Sequence, residues 1–326
     1  MKLPHRRQFL HLAAGAVALP AVSRFAWAQA YPTRPVRIIV GFPPGGLADM
    51  GARLMAQALS ERMGQQFIVE NRPGASTNLA TEAVVRSPAD GYTLLAIAGS
   101  TLVNQSVYEK LNFNLRTDIT MVAGLNTAPL VMEVHTSVPV HTVPEMIAYA
   151  KANPGKITLA SFGTATTSHV AGELFKMMAG VVMVHVPYRG GAPMVTDLIA
   201  GQVQSGIDAV PNSISHIRSG RLRALAVGST TRTASLPNIP SMSEFLPTFE
   251  ANAWNAIAVP KNTPAAIVNK LNSEINAALL DPKLAARINE VGAEVLRGSP
   301  AELDAKMLAE ISRWEKVVKF ANIKPE

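Results

Sequence analysis

Residues 37–49 read RIIVGFPPGGLAD, an apolar strand-like run that enters a Pro-Pro-Gly-Gly turn and then a helix-forming segment with an acid in its first turn. Pro43 and Pro44 hold φ at about −65°, while Gly45 and Gly46 reach dihedrals closed to other residues. The turn is therefore stiff on one side, and on the other a ligand can approach bare backbone. The helix that follows, with Met50, Leu54, Ala58 and Leu59 expected on one stripe, aims its unpaired N–H groups and positive dipole end into the space above the strand. The same glycines also serve as ordinary punctuation between a strand and a helix. No lysine stands in the loop, which excludes the phosphate-cradling GxxxxGK[ST] motif, and the GxGxxG spacing of dinucleotide sites is absent. Asp49 has two readings: an acceptor for a ligand hydroxyl, amine or bridging water, or an acid favoured by the helix dipole, an effect of about 0.3–1 kcal/mol.

Outward from this unit, strand-like and helix-like runs alternate: strand 36–41, a helix to Met63, strand 66–70, helix 77–86, strand 93–98. Such repeated βαβ units predict a parallel sheet. After Asp118 two apolar runs, MVAGL and LVMEV, follow without a helix between them and read as a crossover. A second unit opens at Thr142-Val143-Pro144-Glu145, a capping box. The alternation resumes with strand 157–161, helix 168–179, strand 182–186, helix 193–200 and strands 204–209 and 222–227. The proline-rich stretch 236–247 reads as a surface loop or a link between lobes. Residues 256–259 return as a strand, and helices 264–280, 282–291 and 299–320 close the chain. In the last, Leu303, Met307, Ile311, Trp314 and Val318 form one stripe, read as packing against the first lobe. The inferred architecture is α/β in two lobes, the first (31–128 plus 253–326) made of two segments that flank the second (129–252).

The first thirty residues read as an export signal. Arg6-Arg7-Gln8-Phe9-Leu10 precedes the apolar run LAAGAVALPAV, and Ala26-Trp27-Ala28 offers a small-x-small cleavage site. The paired arginines with Phe9 and Leu10 resemble a twin-arginine signal, the alternative being an ordinary secretory one. Periplasmic location with cleavage after Ala28 or Ala30 is expected. Removing this segment takes away four basic residues and no acid, which lowers the formal charge from +7 to +3. No Lys/Arg run interleaved with aromatics remains, so nucleic acid is not an expected partner. About 296 residues suffice for about two domains. Cysteine is absent, which excludes thiol nucleophiles, Cys-zinc sites and disulfides.

A second polar constellation spans residues 161–169, SFGTATTSH, with hydroxyls at Ser161, Thr164, Thr166, Thr167 and Ser168. Placed at a strand end and helix start, it forms an anion seat without a cation: free N–H groups, including that of Ala165, and hydroxyls can hold a carboxylate. Each such charge-assisted bond contributes about 1.5–3 kcal/mol, and micromolar affinity needs about 8 kcal/mol. The alternative is that Ser and Thr merely cap the helix. His169 and His185 could activate a nucleophile, but there is no G-x-S-x-G elbow, no HExxH and no carboxylate spaced to orient either ring, so both read as structural hydrogen-bonders. Asp208, at a strand end, either points into the same cleft or caps the helix after Pro211. No cofactor, metal or catalytic residue is expected.

The motifs FPPGG-x-x-D (42–49), VENRPGA (69–75), DGYTLL (90–95), AYAKANPGK (148–156), HVPYRGGAP (185–193) and RALAV (223–227) together resemble the Bug family of periplasmic receptors for tripartite tricarboxylate transporters. The resemblance runs in order through nearly all of the chain after the signal. It implies a type II periplasmic-binding-protein fold, two α/β lobes closing on a carboxylate-bearing solute held by backbone amides, hydroxyls and waters, and delivery to membrane transporter subunits. By position it places ligand contacts on Phe42, Gly45, Gly46, Leu47 and Asp49, on Ser100 and Asn104, and on Ser161, Gly163, Thr164, Ala165, Thr166, Ser168 and His169. Many members have a third glycine and then Thr or Ser where this chain has Leu47-Ala48. One lost hydroxyl and one added isobutyl group predict a ligand with one well-held carboxylate and a more apolar body, such as an aromatic or medium-chain acid, in preference to citrate.

The expected function is therefore a non-enzymatic, monomeric receptor that captures a small organic acid and passes it to a transporter. The alternatives are a sensing module for a membrane signalling partner and a periplasmic Ser/Thr hydrolase.

Overall fold

The computed structural model describes residues 31–108 and 110–324, so the export signal read on residues 1–30 lies outside the described residues. Residues from Arg34 onward form one contact unit, and it is this unit whose elements follow. It begins with β1 (Val36–Val40), α1 (Leu47–Met63), β2 (Phe67–Asn71), α2 (Asn78–Val85), β3 (Thr93–Ala98), α3 (Gly99–Val107) and the short α4 (Leu115–Asp118). β2 and β3 flank β1, both parallel to it, as the βαβ alternation predicts.

The parallel pattern ends there, which corrects the expectation of a parallel sheet. β3 pairs antiparallel with β9 (Asn252–Pro260), and β9 pairs antiparallel with β4 (Ile119–His135). The runs MVAGL and LVMEV are one strand of 17 residues and not a crossover. Gly124, Asn126 and Pro129 suggest a break in the sequence, but bulges near Met121/Ala123 and Gly124/Asn126 absorb the irregularity. At about 3.3 Å per residue β4 is about 55 Å long, too long for one sheet, and its partners change along it. Ile119 to Pro129 pair with β9, whereas Leu130 to His135 pair with β7 (Ser205–Ala209) and β8 (Leu222–Val227).

The second sheet continues from β7 through β5 (Thr158–Ser161) to β6 (Val184–Pro187), in parallel. Its helices are α5 (Val143–Ala152), α6 (Thr167–Ala179), α7 (Gly191–Ile199) and α8 (Val210–Arg218). The chain ends with α9 (Ala265–Leu279), α10 (Pro282–Glu290), the two-residue β10 (Glu294–Val295) and α11 (Pro300–Ala321). The result is two α/β lobes, with β4 running through both sheets.

α11 starts at the expected capping box, with Ser299 and Glu302 reciprocally bonded. Its residues Leu303, Met307 and Ile311 join Ile39, Ile97, Leu115 and Trp254 in the first-lobe core, and Trp314 and Val318 are buried as well. Each such side chain contributes about 1.5–3 kcal/mol. On α1 the buried stripe is Ala52, Met55, Ala56 and Leu59, while Met50, Leu54 and Ala58 are half-buried. β1 and β4 on one side and α9 on another set that face, and this lies beyond the helix's own pattern.

Candidate functional site

Five helices begin on the walls of one cleft between the lobes. Gly46, Leu47 and Ala48 belong to the start of α1, Gly99 and Ser100 to α3, and Thr167 to α6. Gly190, Gly191 and Ala192 belong to α7, and Ala209 and Asn212 to α8. Each of these helices directly follows a strand, β1, β3, β5, β6 or β7. The cleft is thus the crevice outside the carboxyl ends of the strands, where α/β folds place ligands.

Four of the five helix starts, at Gly46, Ala98, Gly190 and Ala209, have no side-chain cap. Among the six described helices that begin elsewhere, Asn114, Thr142, Asp281 and Ser299 each cap one with a side-chain oxygen. First-turn N–H groups have no partner within their own helix, so the cleft gathers uncommitted donors and the positive ends of several dipoles. Arg189 stands exposed in its wall. The remaining lining is largely apolar and includes Phe42, Pro43, Leu47, Phe162, Pro193 and Trp254. Such a site suits an anionic group attached to an apolar body.

The walls touch across the cleft. The rings of Phe42 and Phe162 meet edge to face, 6.4 Å between centroids. Ser100 Oγ lies 3.2 Å from Thr167 Oγ1 and accepts from the Thr167 N–H at 3.1 Å. Ser76 Oγ donates to the Thr164 carbonyl at 2.6 Å.

Of the first-lobe residues picked from the sequence, Phe42, Gly46, Leu47 and Ser100 line the cleft; Gly45, Asp49 and Asn104 do not. Asp49 is 3% exposed and faces away. It accepts from the Gly45 N–H at 3.0 Å, from Asn71 Nδ2 at 2.8 Å and from Arg53 Nε at 3.0 Å. Burial alone would raise its pKa; the Arg53, Gly45 and Asn71 bonds outweigh that and hold it below the usual value. With its oxygens thus engaged, Asp49 braces the turn from behind. Asn104, a buried residue of α3 itself, donates to the Ser76 carbonyl and to Asn78 Oδ1.

The expected seat at 161–169 is consumed by its own groups. Thr166 Oγ1 donates to the Gly163 carbonyl at 2.6 Å and accepts from the His169 N–H, so it caps α6. Ser168 Oγ donates to the Ile207 carbonyl, and Ser161 Oγ lies 2.7 Å from His185 Nε2. Ala165, at φ +57°, turns its N–H onto His169 Nδ1 at 3.1 Å. Ser161, Gly163, Thr164, Ala165, Thr166, Ser168 and His169 therefore stand behind the wall, and from this stretch only Phe162 and Thr167 line the cleft. Sequence reasoning also missed a carboxylate near His169: Glu173, one helical turn on, is 3.6 Å from Nε2 and pairs with Lys176. The His169 and His185 rings stack 3.6 Å apart. His185 belongs to a half-buried strand at the sheet edge. Its burial, followed by the neighbouring His169, lowers its pKa to about 3, and the ring stays neutral.

Asp208 is fully buried beneath the start of α8 and accepts from the Ala209 N–H, from Asn212 Nδ2 at 2.8 Å and from Ser213 Oγ at 3.1 Å. It therefore positions Asn212, a wall residue, from behind. Ser213 Oγ is also 2.7 Å from Glu133, likewise fully buried. One hydroxyl proton cannot serve two carboxylates, so one of the two acids carries a proton. Burial drives both values up, Asp208 to about 6 and Glu133 well above the usual carboxylate value, with Asp208's charge adding to the effect on Glu133.

Comparison with known proteins shows the family. The family model described as "Tripartite tricarboxylate transporter family receptor" matches residues 51–323. Protein BugT of Bordetella pertussis is 34% identical, over 94% of this chain and 95% of its own. A structure of an R. palustris protein with adipate superposes with a TM-score of 0.87 at 38% identity, over 91% of this chain and 100% of that one. MatC of Rhodopseudomonas palustris with bound malate gives 0.83 at 30% identity, over 88% and 100%. This chain therefore belongs to the tripartite tricarboxylate transporter receptor family, periplasmic solute-binding proteins that include the Bug receptors.

Proposed function

We propose that this receptor captures a small organic acid with one firmly held carboxylate and an apolar body, closes on it, and hands it to membrane transporter subunits. The observation that carries the proposal is the meeting of four uncapped helix starts in one apolar-lined cleft. Free N–H groups there can donate to a carboxylate without a buried cation. Phe42, Gly46, Leu47 and Ser100 on one wall and Thr167, Gly191 and Asn212 on the other are the contacts we assign. Leu47 and Ala48 both face the cleft, so neither a third glycine nor a hydroxyl is offered to a second polar group.

The lobes are taken as 31–128 with 253–326 and 129–252, since β4 changes partners between Pro129 and Leu130 and the chain returns to the first sheet at Asn252. Their relative motion would be a hinge closure driven by the ligand's differential contacts. In the cell the chain acts as an exported monomer, its signal cut after Ala28 or Ala30. A thermal-shift screen tests the ligand class, because a ligand at about a hundred times its Kd stabilises by about 2.7 kcal/mol. Adipate-like and benzoate-like acids should shift the unfolding temperature by several degrees, and citrate, aspartate and glutamate little. The largest shift from citrate or an acidic amino acid would refute the apolar-body assignment.

A further inference from the structure

Trp254 stands on β9 in the cleft wall, its ring in the same buried cluster as Ile97, Leu102 and Met307. The residue is 2% exposed, and its buried Nε1–H has no acceptor among the described residues. The other described tryptophan is a control within the same molecule: Trp314 is also fully buried, and its indole donates to Glu310 Oε2 at 2.8 Å. Packing of the ring does not require the nitrogen, and a buried donor with no partner loses its hydration with nothing in return. The orphan lies at the start of α3, one of the uncapped helices. A methyl group on Gly99 would sit 2.9 Å from Trp254 Nε1 and 3.2 Å from Cδ1, so the bare glycine leaves that edge of the indole open toward the helix start.

Building on the carboxylate-receptor assignment above, we propose that Trp254 is a specificity-determining residue whose indole N–H donates to one oxygen of the ligand carboxylate while the first-turn N–H groups of α3 hold the other. The indole N–H and the first-turn N–H groups of α3 can only donate. A carboxylate offers acceptors on both oxygens, whereas the primary amide of the same acid turns an NH₂ toward one of the donors and is rejected. The ring is fixed in a sheet and a packed core, so the head group has a set depth and the body of the acid extends toward Phe42 and Leu47.

The test combines calorimetry with ¹⁵N-indole NMR, titrating adipate, malate, benzoate and citrate, and the monoamide of whichever binds best. Trp254→Phe assigns the indole signal. Binding of an acid should move the Trp254 indole proton downfield and leave that of Trp314 in place. Trp254→Phe should weaken binding at least tenfold in a variant that still unfolds cooperatively, and the monoamide should bind at least tenfold more weakly than the acid. An acid that binds without moving the Trp254 signal overturns the proposal, and this readout needs only the wild-type protein once the signal is assigned. Equal affinity of Trp254→Phe overturns it too. Should none of the four acids give a binding heat, the carboxylate-receptor assignment itself fails, and the role of Trp254 falls with it.

Discussion

The turn between β1 and α1 and the turn between β5 and α6 hold equivalent places in the two lobes, yet they treat their helix starts in opposite ways. The first, FPPGG, has no side-chain hydroxyl or carboxylate that can reach the opening N–H groups of α1, and Gly46 provides no cap. Its one acid, Asp49, is drawn backward by Gly45, Asn71 and Arg53. The second is rich in hydroxyls, and they close on the turn itself: Thr166 caps α6, Ser168 reaches Ile207, and Ala165 gives its amide to His169. The polar turn therefore mostly binds itself, and the apolar turn lines the cleft with its helix start uncapped. Polar side chains next to a helix start compete with a ligand for its donors, and their absence leaves those donors free.

The sharpest way to break this contrast is to give the first turn a cap. Gly46 has φ −89° and ψ 176°, and a Cβ there meets nothing within 4 Å, so Gly46→Asp should fold and gain a few tenths of a kcal/mol from capping α1. It should also weaken binding of the preferred acid about a hundredfold, about 2.7 kcal/mol, by filling the donors with a like charge. Calorimetry and urea unfolding read the two effects, and retained affinity would show that α1 is not part of the anion site.

Acid pH should strike the second turn first. His185 falls from 6.5 unfolded to about 3 folded, so its contribution is complete above pH 6.5 and is lost as pH drops toward 3. Between pH 7 and 5 this amounts to about 1–2 kcal/mol. Asp208, raised from 3.8 to about 6, acts oppositely, relieving its own penalty as pH falls through that window. Comparing the wild type with His185→Gln cancels the Asp208 effect, and the variant should lose less stability over pH 7 to 5. Parallel pH profiles for the two proteins would mean that the stacked ring titrates normally.

Thr166→Ala is the converse of the Gly46 change: it should cost about 1 kcal/mol of stability through the lost cap and leave affinity within about twofold, about 0.4 kcal/mol. A large affinity loss at normal stability would return the hydroxyl cluster to the binding site. The smallest effect is expected at Arg189, an exposed cation whose removal in Arg189→Ala should cost less than about 1 kcal/mol of affinity and fade with salt. If this variant outweighed Gly46→Asp, the cation and not the helix starts would dominate the site.

The residues that line the cleft were legible in part. Phe42, Gly46 and Leu47 were marked by their own turn, and the HVPYRGGAP stretch held Arg189, Gly190 and Gly191 as a motif whose role was not read. Ser100 stood out only through family resemblance, since helix α3 has no capping signal to announce it. Nothing local marked Trp254 or Asn255, which reach the cleft because β9 crosses back into the first sheet, its Asn255 bonding Asn126 over 129 positions of chain. Glu133 was hidden for the same reason: its proximity to Asp208 arises from the pairing of β4 with β7.

The Thr142 cap of α5, where Glu145 turns to the His141 N–H and so leaves the expected box half-formed, the capping box of α11, the Pro-Pro-Gly-Gly turn and the alternation of strands and helices in each lobe were settled by interactions spanning a few residues, and those the chain states in order. A capping bond closes within about four residues, so its partners are read together. Which helix starts would be left uncapped around a shared space, and which tryptophan would lose its acceptor there, depended on strands brought side by side from distant parts of the chain. That pairing is set by the burial of whole sheet faces, a property no local stretch of sequence contains.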